Sequence, residues 1–241
     1  MHPLSGKTII FMPGMDGTGI SFEPLAKLLP HDVNVKVIQY PADRLLSFEE
    51  NLQCVRQQVQ PDGEAIVIAE SFSGPVAVAL IGSGLLKARC LILSATFARS
   101  PRPLVLKTLR CLPMEAVLQL PLPRFLLKRL TEGGEQPVDV FEDMLHRIRA
   151  MAPAKVLNHR LKVIGKTDVR QWLSKLTLPC LYIQASSDRA VPASALFDFT
   201  EAVADLRVVR IRGPHFILQA QPQESLAAIQ NFMALIAKDF G

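Results

Sequence analysis

The sequence predicts an α/β fold, a mostly parallel sheet wrapped by helices and interrupted by a single helical insertion. Three observations carry this expectation. Short Val/Ile/Leu-rich runs alternate with helix-period segments. Each run is apolar at nearly every position and bounded by turn residues, the pattern of strands covered on both faces. The alternation then stops between Thr96 and Leu178.

The strands are expected at 7–12 (KTIIFM), 33–38 (VNVKVI), 64–69 (EAIVIA), 88–95 (ARCLILSA), 179–185 (PCLYIQA) and 206–211 (LRVVRI). Helical periodicity falls at 22–29, 47–59, 72–86, 194–204 and 221–238. Strand and helix in this order call for right-handed crossovers between parallel strands. The stretch from Thr96 to Leu178 has no convincing strand. It has Leu-rich amphipathic pieces separated by SPRP, LPLP, EGGEQP and MAP, so residues 97–176 are expected to form a helical cap inserted into a core of 1–96 and 177–241.

Composition bounds the function. No apolar run reaches the ~18–20 residues of a membrane span, and MHPLSGKTIIFMPG is too short in its apolar stretch for a signal peptide, so the expected compartment is the cytoplasm. Cys54, Cys90, Cys111 and Cys180 are far apart, with no CxxC, and read as buried thiols rather than a zinc site or disulfide framework. The net charge of +5 comes with no nucleic-acid motif. It is concentrated in residues 99–166, which hold 13 Lys/Arg against 6 Asp/Glu.

In a parallel α/β sheet, ligands bind beyond the carboxyl ends of the strands. Four stretches there could carry chemistry. In IAESFSGPVA, Ser71 follows a strand and precedes a helix; a nucleophile on such a turn needs small residues two before and two after it, as Ala69 and Ser73 are. The alternative is a serine that only caps the helix. FMPGMDGTG (11–19) follows the first strand, and its glycines let backbone N–H groups face an oxyanion, with Met15 and Phe72 as the expected donors. A phosphate loop is disfavoured because no G-K-[ST] ending follows and Asp16 would repel a pyrophosphate; the GxGxxG spacing of nicotinamide sites is also lacking. The loop can also be read as a plain tight turn.

Asp188, in IQASSDRAVP, could orient an imidazole, or else form only an Asx-turn. The position after LILSA offers Thr96 instead of an acid. His215, in IRGPHFILQAQPQE, follows the last strand, where Gly213-Pro214 bends the chain. Of the other histidines, His2 is terminal, His31 lies in a short connection, and His146 and His159 belong to the insertion. Singly these signals are modest. Together they give Ser71, Asp188 and His215 in the order Ser, Asp, His, each after its own strand, with a Gly-rich loop after the first. Glu70, beside the serine, has no assigned role.

On these residues the chain resembles the α/β-hydrolase fold superfamily over nearly its whole length outside the insertion. The resemblance implies a nucleophile elbow at Ser71, acid Asp188, base His215 and a helical cap after LILSA. PGMDGTG is similar to the family's His-Gly-x oxyanion motif with Pro13 in place of histidine. The first strand corresponds to the family's third, which leaves the usual first two strands missing. Hydrolysis of a carboxylic ester or thioester through an acyl-enzyme would follow, with no metal or cofactor required. Leu104, Leu106, Leu109, Leu118, Leu120, Leu122, Phe125 and Leu126 could line an acyl pocket or form the core of the cap.

Three further possibilities stay open. Arg99, Arg102, Lys107, Arg110, Arg124, Lys128 and Arg129 would suit an acidic acyl-carrier protein, as basic cap residues do among the superfamily's capped pimeloyl-carrier-protein methyl ester esterases; an ordinary solvated face is the alternative. PGMDGTG also resembles chloroplast-type acyltransferases of the same fold, in which an alcohol replaces water. Some proteins of this fold are non-enzymatic ligand receptors.

Overall fold

Six strands build one sheet: Thr8–Met12 (β1), Asn34–Val37 (β2), Ile66–Glu70 (β3), Cys90–Ser94 (β4), Cys180–Ala185 (β5) and Leu206–Ile211 (β6). Their order is β2-β1-β3-β4-β5-β6, and every neighbouring pair is parallel. This is a computed structural model, and it describes residues 2–59, 64–104, 125, 127–128 and 137–239.

Alternate strand residues divide between two cores. Ile10, Met12, Val67, Ala69, Leu91 and Leu93 face one side, where Val55 of helix α2 (Phe48–Gln58) and Val76 of α3 (Ser73–Gly82) cover them. Ile9, Phe11, Ile66, Ile68, Cys90 and Ile92 face the other, under Leu25 of the short α1 (Glu23–Ala26). Burial on both faces explains why the central strands read as unbroken apolar runs. The expectation fails at the edges: β2 is mostly exposed and β6 only partly buried, with Val35 and Val208 exposed, because an edge strand has a neighbour on one side only.

Local signals set the helix starts. Ser47 Oγ accepts from the Glu50 N–H at 3.2 Å while Glu50 Oε2 accepts from the Ser47 N–H at 2.7 Å, a reciprocal capping box. Pro75 is tolerated in α3 because it sits in the first turn, where no intrahelical donor is needed.

Between β4 and β5 the described residues contain Val138–Met151 (α4) and Ala154–Ile164 (α5). Phe141, Met144, Ile148 and Leu157 of these helices cluster with Leu127 and Ile20, and against Met15 and Phe216. Of the eight apolar residues expected to line a pocket or fill the insertion, Leu104 and Phe125 are exposed, and the other six lie outside the described residues. Cys111 lies outside them too; Cys90 and Cys180 are buried, and Cys54 is only partly so. After β5 come Phe197–Ala202 (α6), Ile217–Ala220 (α7) and Pro222–Asp239 (α8). Among the described residues no helix is long and apolar enough to cross a membrane.

Candidate active site

Ser71, directly after β3, has a left-handed conformation, φ 48°, which is uncommon for a residue with a side chain. The surroundings over-determine this turn. Ser71 N–H donates to Ser94 O at 2.9 Å, and the Ser71 carbonyl accepts from Thr96 Oγ1 at 2.6 Å and from Gly74 N–H at 3.1 Å. Thr96 thus braces the turn from the end of β4. Gly74 gives Thr96 room: a Cβ there would lie 2.7 Å from the Thr96 Cβ and closer still to its Oγ1.

Ser73 is not merely small. Its Oγ donates to Pro13 O and is paired with Tyr40 Oη at 2.8 Å, tying the turn to the loop after β1. That loop lies against the serine, since a Cβ on Gly14 would be 3.8 Å from Ser71 Cβ. Among the described residues no backbone hydrogen bond consumes the Met15 or Phe72 N–H.

The three residues singled out in sequence meet. His215 Nε2 is 2.9 Å from Ser71 Oγ, and His215 Nδ1 is 2.7 Å from Asp188 Oδ2. Asp188 makes two sets of contacts, on different oxygens: Oδ1 accepts from the Ala190 and Val191 N–H groups at 2.9 and 2.8 Å, while Oδ2 meets the imidazole. The turn therefore aims the carboxylate. Burial pulls the His215 pKa down, but the Asp188 hydrogen bond and the charges of Asp188 and Glu70 outweigh it, leaving the imidazole more basic than usual.

Glu70 lies behind the serine, 3% exposed, its Oε2 accepting from Gln219 Nε2 at 3.2 Å and from Ser21 Oγ at 3.4 Å. Burial, with the charge of Asp16 adding to it, pushes its carboxyl up to about 7 despite these donors.

Sequence reasoning missed Arg160, in α5. It is buried and donates to the carbonyls of Met15, Asp16 and Pro41. A signal was present: Arg160 falls on the apolar face that Val156, Leu157, Val163 and Ile164 define. Three other basic residues of 99–166 are engaged as well. Arg99 pairs with Asp198 at 3.0 Å, Arg102 donates to Ala190 O, and Arg147 pairs with Glu23. Lys107, Arg110, Arg124 and Arg129, on which an acidic partner would depend, lie outside the described residues.

Residues 9–229 match the model of a family described as "Alpha/beta hydrolase family". Phytyl ester synthase 1, chloroplastic, of Arabidopsis thaliana is 31% identical over 123 residues, which is 47% of this chain; the chain spans 18% of that protein's length. Among solved structures, a bromoperoxidase from Bacillus anthracis superposes with a TM-score of 0.72 at 17% identity, over 97% of this chain and 92% of that one. A lipase-esterase related protein from Clostridium acetobutylicum gives 0.73 at 14% identity, over 95% and 96%. At such identities the structural likeness speaks for the fold alone.

Proposed function

The chain belongs to the alpha/beta hydrolase family, and from that premise we propose that it is a serine hydrolase cleaving a carboxylic ester or thioester. The observation that carries this reading is the relay Ser71 Oγ, His215 Nε2, His215 Nδ1, Asp188 Oδ2, with links of 2.9 and 2.7 Å. With Nδ1–H donating to Asp188, Nε2 is left as the acceptor for the serine proton.

In the proposed reaction, Ser71 Oγ attacks the acyl carbonyl as His215 Nε2 takes its proton. Negative charge moves to the carbonyl oxygen, where the Met15 and Phe72 N–H groups receive it; one such donor is typically worth about 3–4 kcal/mol. The imidazolium, held by Asp188, returns the proton to the departing alcohol or thiol. Water, deprotonated by His215, then attacks the acyl-enzyme and releases the acid. The apolar cluster that packs Phe141, Met144 and Ile148 against Met15 and Phe216 supports the reading of 97–176 as a cap docked beside the serine. Labelling by an active-site fluorophosphonate tests the reading: it is expected in wild type and absent in Ser71→Ala, and equal labelling of the two would overturn it.

The local likeness to a phytyl ester synthase favours a second reading, transfer of the acyl group to an alcohol. Only the last step changes. Product analysis with competing alcohols separates the two: an ester as main product supports transfer, and free acid alone supports hydrolysis.

A further inference from the structure

Arg160 belongs to the segment inserted between β4 and β5, yet its side chain is buried against the core, with 4% of the residue exposed. Its Nη1 donates to Met15 O and Asp16 O, both at 2.8 Å, and its Nη2 to Pro41 O at 3.0 Å. The guanidinium also lies 5.6 Å from the centroid of the Tyr40 ring. Burying a cation is costly, and an apolar side chain of similar volume is often no worse for stability. Here the compensating groups are mostly carbonyls of one loop, so the cation's effect is to hold that loop's peptide planes.

Peptide geometry shows which planes. A trans peptide points its N–H opposite to its C=O. Gly14 O accepts from Gly17 N–H at 3.1 Å, so the Met15 N–H of the same peptide points the opposite way within that plane. Met15 O, in the next plane, is held by Arg160. With the planes on both sides of Met15 fixed, the direction of its N–H is fixed as well. Gly17 makes the contact sterically possible: it has φ 74°, and a Cβ there would lie 2.5 Å from Arg160 Nη1 and 2.9 Å from Tyr40 Cβ.

We propose that Arg160 is a positioning residue that aims the Met15 N–H at the oxyanion, so that a competent oxyanion hole exists only while α5 is docked on the core. This rests on the serine-hydrolase reading. It couples the insertion to the chemistry through three hydrogen bonds rather than through contact with substrate.

The test uses the full chain and the variants Arg160→Met and Arg160→Lys, with Arg147→Met as control; Arg147 pairs with Glu23 rather than with the loop carbonyls. Two quantities are measured: kcat and KM for a p-nitrophenyl ester, and the inhibition constant of a trifluoromethyl ketone, which forms an oxyanion on attack by Ser71. Arg160→Met is expected to lower kcat about 10- to 100-fold, to weaken the ketone by the same factor and to leave KM nearly unchanged. Arg160→Lys, which keeps the charge and a single donor nitrogen, should lose less, and it carries the comparison if Arg160→Met does not fold. Folded variants with unchanged kcat and ketone affinity would overturn the proposal, as would a loss confined to KM. Wild-type protein that neither hydrolyses the ester nor binds the ketone would instead sink the hydrolase reading on which the proposal stands.

Discussion

Gln219 Nε2 donates to Glu70 Oε2 at 3.2 Å, in the interior behind Ser71, and the Oε1 of each residue is buried without a hydrogen-bond partner. Two acceptors without donors are costly as a pair. A proton on Glu70 removes the charge and supplies a donor, in keeping with a carboxyl pushed up to about 7 by burial.

Glu70→Gln should therefore change both stability and the pH profile. Below the ordinary value of 4.5 the carboxyl is neutral folded and unfolded. As pH rises from there to about 7, the unfolded chain ionises Glu70 and the folded chain resists, so wild type loses stability across that window, about 3 kcal/mol in all. Urea unfolding at a series of pH values should show this loss flattened in Glu70→Gln. Because the Glu70 charge favours the imidazolium, its removal should also move the acidic limb of kcat/KM to lower pH. An unmoved limb would dissociate Glu70 from His215.

Asp188→Asn and Asp188→Ala should separate the two functions of that carboxylate. Asn can still accept the Ala190 and Val191 N–H groups through its oxygen, but its amide would face His215 and favour the wrong tautomer. We expect kcat to fall about 10⁴-fold with little change in Tm. Ala removes the turn as well, and should lose activity together with about 1–2 kcal/mol of stability.

Gly74→Ala should damage the nucleophile turn from behind. The new Cβ would displace Thr96, whose Oγ1 donates to Ser71 O. Overpacking of this kind costs about 1–3 kcal/mol. Thermal unfolding and fluorophosphonate labelling should both fall, whereas Gly84→Ala, with open space around its Cβ, should lower Tm through its positive φ alone and leave labelling intact.

Ser73→Ala distinguishes a residue that must be small from one that must bond. A purely steric role predicts no change. The structure predicts a loss of about 1–3 kcal/mol, because Pro13 O and Tyr40 Oη both lose Ser73 as a partner in the interior. Tyr40→Phe should lose less, since Ser73 keeps Pro13 O.

The sequence by itself determined the six strands, their alternation with helices, and the turn positions of Ser71, Asp188 and His215, because apolar periodicity and turn residues act locally. The central strands were legible in full, since both of their faces are buried; β2 and β6 departed because exposure depends on which strand lies at the edge. Only the tertiary structure decided how those turns meet. The 2.9 and 2.7 Å links join residues up to 144 positions apart, and no local signal encodes such a distance. It also decided that Asp188 serves its turn and the imidazole together, that Ser73 bonds as well as fits, and that Glu70 lies in the interior. Arg160 shows the limit most plainly. One charged residue on an apolar helix face was visible in the sequence, but the three carbonyls that receive it come from two distant loops, which only folding brings to it.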